Sequence, residues 1–156
     1  MNKRGVLIAL LVVCGVALAL FAYLGHDRTT TDSVITGGQE IMVEGFRYEI
    51  VDTDALRELG LGGRASIPSE YGMLFVFEQA DRYGFWMKGM QTSIDIIWLS
   101  EDGTILAINE SVSPDTYPKP FYPPVPVRYV LETRAGEANA KGWDVGTKLN
   151  LPISRK

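Results

Sequence analysis

Hydrophobic and polar positions follow three rhythms along this chain. Residues 5–24, GVLIALLVVCGVALALFAYL, are apolar throughout and carry no charge. A helix rises about 1.5 Å per residue, so twenty residues reach across a bilayer core of about 30 Å. Residues 26–38, HDRTTTDSVITGG, offer little to bury and have the composition of a tether. From Gln39 onward the pattern breaks into short segments, some alternating at a period of two and some solidly apolar, divided by Gly, Asp and Pro. That rhythm predicts strands and turns.

Residues 41–43 and 46–51 flank Glu44-Gly45, which predicts a tight hairpin. Thr53 or Asp52 can cap a short helix that Gly60 stops, with Leu56 and Leu59 facing inward together. MLFVF at 73–77 reads as a central strand, and 78–83 as a turn or loop. Residues 85–87 and 94–99 read as extended, and 100–103 as a turn that returns the chain through 104–109. Residues 113–126 hold six of the eight prolines and predict an extended loop, pinned across one face by its own aromatics or forming the rim of a groove. A strand at 127–133, helical turns at 135–141 stopped by Gly142, and a closing strand at 148–153 complete the pattern. The expected fold is mainly β: a compact barrel-like or sandwich domain of about seven or eight short strands with one or two short helices. The expected organisation is an N-terminal transmembrane anchor or signal segment at 1–25, a linker at 26–38 and a domain at 39–156.

Charge and rare residues narrow the function. Lys3 and Arg4 precede the apolar run, which favours a cytoplasmic N-terminus and a domain outside the cytoplasm. Ala17-Leu18-Ala19 offers a signal-peptidase site, which would make the domain secreted. The apolar run continues past that site and suits an uncleaved anchor, with the membrane as partner. All 19 acidic residues but only 13 basic ones lie beyond the run, a formal charge of −6 that argues against nucleic acid. The one cysteine, Cys14, lies within the apolar run, and the one histidine, His26, lies beside it. The domain therefore has no internal disulfide, no Ser-His-Asp triad and no His or Cys metal set, and no cofactor or metal is expected. Met73, Met87 and Met90 could supply thioethers to copper, but they read as core.

Several ordered motifs run through the domain: Gly72-Met73-Leu74-Phe75, Phe85-Trp86-Met87-Lys88, Asp95-Ile96, Val130-Leu131-Glu132 with Ala135-Gly136, and Gly146. Together they resemble the DUF192 family, also called UPF0127, over residues 46–151. The resemblance implies a small protein, often exported or membrane-anchored, with a mainly β domain and no established activity. Where the family reads Trp-Met-Lys-Asn-Thr, this chain has Trp86-Met87-Lys88-Gly89-Met90. Gly62 stands where the family has Met.

Candidate chemistry centres on acids within apolar strands. On a strand, Asp95 shares a face with Ile97 and Leu99, while Glu132 lies opposite Tyr129 and Leu131. A buried carboxylate needs a partner. Lys88, Arg57 and Arg64 are candidates for Asp95, as are backbone N–H groups. Trp86, Lys88, Asp95, Glu132 and Arg57 are the candidate binding or polar-network residues; no catalytic residue is assigned. Three functions stay open. The first is a membrane-tethered binding or accessory module with a glycan, peptide or envelope-protein partner. The second is a carboxylate-dependent hydrolase using Asp95 and Glu132. The third is a non-catalytic structural domain.

Overall fold

Two of the predicted turns form the outer hairpins of the sheet. Glu44 and Gly45 both take positive φ, 50° and 82°, the twist that a two-residue hairpin requires. They join β1 (Gln39–Val43) to β2 (Phe46–Val51). At the other edge Ser100–Thr104 turns β4 (Ile94–Leu99) back onto β5 (Ile105–Val112), with Ser100 N–H donating to the Thr104 carbonyl at 2.9 Å. Between them lie β3 (Tyr71–Asp81) and β6 (Val127–Arg134). This computed structural model describes residues 38–153, and they form one six-stranded sheet in the order β1-β2-β3-β6-β4-β5.

Only β2 and β3 run parallel. Parallel neighbours need a crossover, and that connection carries helix α1 (Asp54–Leu59). The Thr53 hydroxyl caps it by accepting from Leu56 N–H, and Gly60 ends it. Helix α2 (Glu137–Lys141) follows β6 and stops at Gly142, which takes φ 65°. A turn of 3-10 helix, Pro114–Thr116, sits in the proline-rich stretch.

Both faces of the sheet are covered. One face buries Met73, Phe75, Phe77, Ile94, Ile96, Trp98 and Val130, with Leu56 of α1 packed against them. The other buries Leu74, Ile97, Leu99, Tyr129 and Leu131 beneath Ala138 of α2 and Trp143. Every residue of β4 is buried, as expected for a strand with no solvent side. Close packing also dictates Gly72: a Cβ there would come within 2.6 Å of the Leu131 side chain on β6.

Several expectations are corrected. The sheet is open, with β1 and β5 as unjoined edges, so it is neither a barrel nor two stacked sheets. Helices and loops fill the place of a second sheet. Six strands stand where seven or eight were expected, because residues 85–87 and 148–153 form only isolated bridges, Phe85 with Phe121 and Lys148 with Thr104. Residues 78–81, expected as loop, prolong β3. Leu56 packs inward, but Leu59 is 53% exposed. Among the described residues no helix is long and apolar enough to cross a membrane. The apolar run 5–24, Cys14, His26 and the tether up to residue 37 lie outside them.

Candidate functional site

Four acids are buried on or beside the sheet, and three of them are fully engaged. Asp95 is entirely buried on β4. Its Oδ1 accepts from Ser111 N–H at 2.8 Å and Gly136 N–H at 3.1 Å, and its Oδ2 from Ala138 N–H at 3.1 Å. Gly136 is the N-cap of α2, with φ 79° and no side chain to satisfy the helix's first donors. Asp95 supplies that cap from a neighbouring strand, at the end of the helix where a negative group is favoured. Glu137 accepts from Arg134 Nε at 2.6 Å and from Glu70 N–H at 2.9 Å. Glu49 on β2 takes Arg64 Nη2 at 3.0 Å on both oxygens, together with the Tyr71 hydroxyl. Burial, then the bond to Glu49, pushes the Tyr71 phenol well above its ordinary range.

Glu132 is the exception. It is 5% exposed, and among the described residues no hydrogen bond or ion pair reaches its carboxyl. No fully enclosed side-chain polar atom among those residues lacks a partner, so the Glu132 oxygens must open on a void. That void is a cleft of about 630 Å³ between α1, β3 and the segment after β3. Desolvation raises the Glu132 pKa from an ordinary 4.5 to about 8, and the charge of Arg64 offsets only part of it. At neutral pH the floor of the cleft is therefore mostly a neutral carboxylic acid, able to donate as well as accept.

The walls are aromatic. Phe75 and Phe85 meet edge to face at 4.8 Å between centroids, and Phe77 stacks on Tyr83 at 3.6 Å. Trp86, half exposed, stands at the rim against Tyr117 of the proline-rich loop, 6.2 Å between centroids. Phe85 and Phe121 exchange backbone hydrogen bonds of 2.9 and 2.7 Å, which fixes that loop beside the cleft. Arg57 is held in the wall: it donates to the Val76 carbonyl at 2.8 Å, pairs with Asp54 at 2.7 Å and lies over Phe77. The Lys88 ammonium sits 5.8 Å from the Trp86 ring centroid.

Four of the five candidate residues thus line one cleft: Arg57, Trp86, Lys88 and Glu132. Asp95 does not. In the β4–β6 ladder Asp95 pairs with Thr133 and Ile96 with Glu132. Cross-strand partners share a face and successive residues alternate, so Asp95 and Glu132 project from opposite sides of the sheet. They cannot act as paired acids on one substrate, which corrects the alternative reading of a hydrolase using Asp95 and Glu132. None of Lys88, Arg57 and Arg64 is the partner of Asp95; backbone donors are. Met73 and Met87 are buried in the core and Met90 packs against it. Among the described residues no three His, Cys, Asp or Glu side chains converge to hold a metal ion. Sequence reasoning missed the Glu49–Arg64–Tyr71 cluster. Its one signal was an acid, Glu49, between Tyr48 and Ile50 in a predicted strand.

Comparison with known proteins yields a family match and two similar solved structures. The family model DUF192, described as "Uncharacterized ACR", matches residues 34–151. No curated protein matches the chain. A solved structure from Sinorhizobium meliloti 1021, described as a proposed transcription regulator, is 31% identical with a TM-score of 0.63, covering 66% of this chain and 79% of its own. A protein of unknown function from Novosphingobium aromaticivorans is 28% identical with a TM-score of 0.63, covering 70% and 80% respectively.

Two measurements check the assignments of the acids. Asp95→Asn turns one acceptor into an amide donor facing a backbone N–H. In urea unfolding it is expected to lose about 1–3 kcal/mol, and a loss below ~0.5 kcal/mol would remove the cap from Asp95. Glu132 gives a pH signature. Between about pH 4.5 and 8 the folded chain keeps a proton that the unfolded chain has released, so this group's share of stability falls as pH rises through that window. E132Q is expected to lose that slope. It should gain on the order of 2–4 kcal/mol on the parent between pH 4.5 and 8.5; parallel stability curves would contradict the raised pKa.

Proposed function

The chain belongs to DUF192, an uncharacterized family, and from that premise we propose that it is a binding module whose ligand enters the cleft above Glu132. The observation that carries this reading is the Glu132 carboxyl itself, buried at the cleft floor while the other three buried acids all have partners. A polar group left without a protein partner costs free energy, and a ligand group can recover it. The setting fits a ligand with both apolar and polar parts: a concave cleft lined by five aromatic and six charged side chains. A rim of Trp86 and Tyr117, both about half exposed, gives stacking surface for a sugar ring or a peptide side chain. A glycan, a peptide or an envelope protein remains the proposed class of partner. A charge of −6 beyond residue 24 speaks against nucleic acid.

The proposal extends to location. The uncharged run 5–24 behind Lys3 and Arg4 supports a tether that holds the domain outside the cytoplasm. The intact N-terminal mass of protein purified from membranes is expected to include residues 1–24. A mature chain starting just after Ala19 would mean a cleaved signal instead.

Binding is tested on glycan and peptide arrays with the full-length protein and its Trp86→Ala variant. At least one array feature should be captured by the parent and weakened tenfold or more in W86A, with unfolding curves that coincide. Capture that is indifferent to W86A, or none at all, would count against the cleft as a binding site.

A further inference from the structure

The charges around the cleft specify its ligand more closely. Its lining carries four carboxyl groups, Asp54, Glu58, Glu78 and Glu132, and two cations, Arg57 and Lys88. Arg57 is spent: Asp54 and the Val76 carbonyl hold it, and its guanidinium lies on Phe77. The neighbouring Arg64 is spent too, on Glu49 and Tyr71. Arg134, farther along β6, is committed to Glu137. From β4, only the uncharged Ile94, Ile96 and Trp98 pack on this face. An anionic ligand would therefore meet Glu58, Glu78 and Glu132 against Lys88 alone. Lys88 has no carboxylate partner among the described residues. Its ammonium instead lies near the Trp86 ring at the cleft rim, so the chain already places an ammonium on this aromatic rim.

We infer that the cleft receives a primary ammonium group, seated on the Glu132 carboxylate beside the Phe75 and Phe85 rings that line the cleft with it. This deepens the binding reading above and rests on it. The electron-rich faces of aromatic rings attract cations, and a desolvated carboxylate satisfies ammonium donors strongly. Seating the ammonium draws the proton off Glu132 into bulk water, so binding releases up to one proton and tightens as pH rises. The Lys88 ammonium competes with the guest. The same chemistry could come from a lysine side chain of a peptide or from a free diamine.

The test uses full-length protein and follows the indole N–H signal of Trp86 by NMR, identified by its loss in Trp86→Phe. The probes are Nα-acetyl-lysine methylamide, cadaverine, the Nε-acetylated form of the first as a neutral isostere, and succinate. Both amines are expected to shift the signal saturably, while the isostere and succinate do not. Amine affinity should rise roughly tenfold from pH 6.5 to 8.5, and E132Q should abolish that rise. Lys88→Met should tighten amine binding severalfold. A tighter complex with the lysine probe assigns a peptide, and one with cadaverine a free diamine; either supports the ammonium site. Equal binding of the isostere would overturn the inference, as would succinate binding that K88M abolishes. If array capture stays sensitive to W86A while both amines fail, the binding module stands and only the ammonium is lost.

Discussion

Water reaches neither face of β4, and little of the middle of β6, so an acid buried on these strands has no bulk solvent to turn to. Helix α2 and Trp143 close one face of the sheet; α1 and the loops after β3 close most of the other. Within that frame each acid must be held by protein donors, kept protonated or left open to a cleft. The fold uses all three solutions. Asp95, Glu137 and Glu49 take donors from a helix start, an arginine beside a backbone N–H, and an arginine–tyrosine pair. Glu132 keeps its proton into the neutral range and faces open space.

The contrast between Asp95 and Glu132 comes from one residue of register. They lie on adjacent strands, and Asp95 pairs with the residue next to Glu132. That single step sends one carboxyl under α2, where it orders the turn from β6 into the helix. It sends the other beneath the aromatic cleft. One acid therefore belongs to the scaffold and the other to the site, although both read alike as acids within apolar strands.

The cleft owes its shape to pieces with little regular structure. The parallel β2–β3 pairing forces a crossover, and the crossover brings α1 and Arg57 over the sheet. The long β3 carries Phe77 and Glu78 outward past the point where its pairing with β6 becomes irregular, after Val76. The proline-rich loop has few donors of its own, yet it is bridged to Phe85, and its Tyr117 steadies Trp86. Leu59 stays exposed because α1 sits at the cleft wall and turns that residue toward the opening.

Local rules carried much of the fold. Glu44-Gly45, Ser100–Gly103, Thr53 with Gly60, and Gly142 each work through the backbone of a few neighbouring residues, so the sequence determined those turns and caps. It also determined which residues of β4 and β6 share a face, because alternation is a property of the strand itself. Family motifs and a mainly β class followed from the same short-range order. Whether the sheet closes was decided elsewhere, by pairings between distant strands: β6 enters between β3 and β4, and no local pattern encodes that insertion. Only tertiary structure decided that the donors for Asp95 come from residues 111, 136 and 138, sixteen to forty-three positions away. The same holds for Glu132. Sequence showed a carboxyl in an apolar strand; the packing of α1 and the aromatic loops above it made that carboxyl the floor of a cleft.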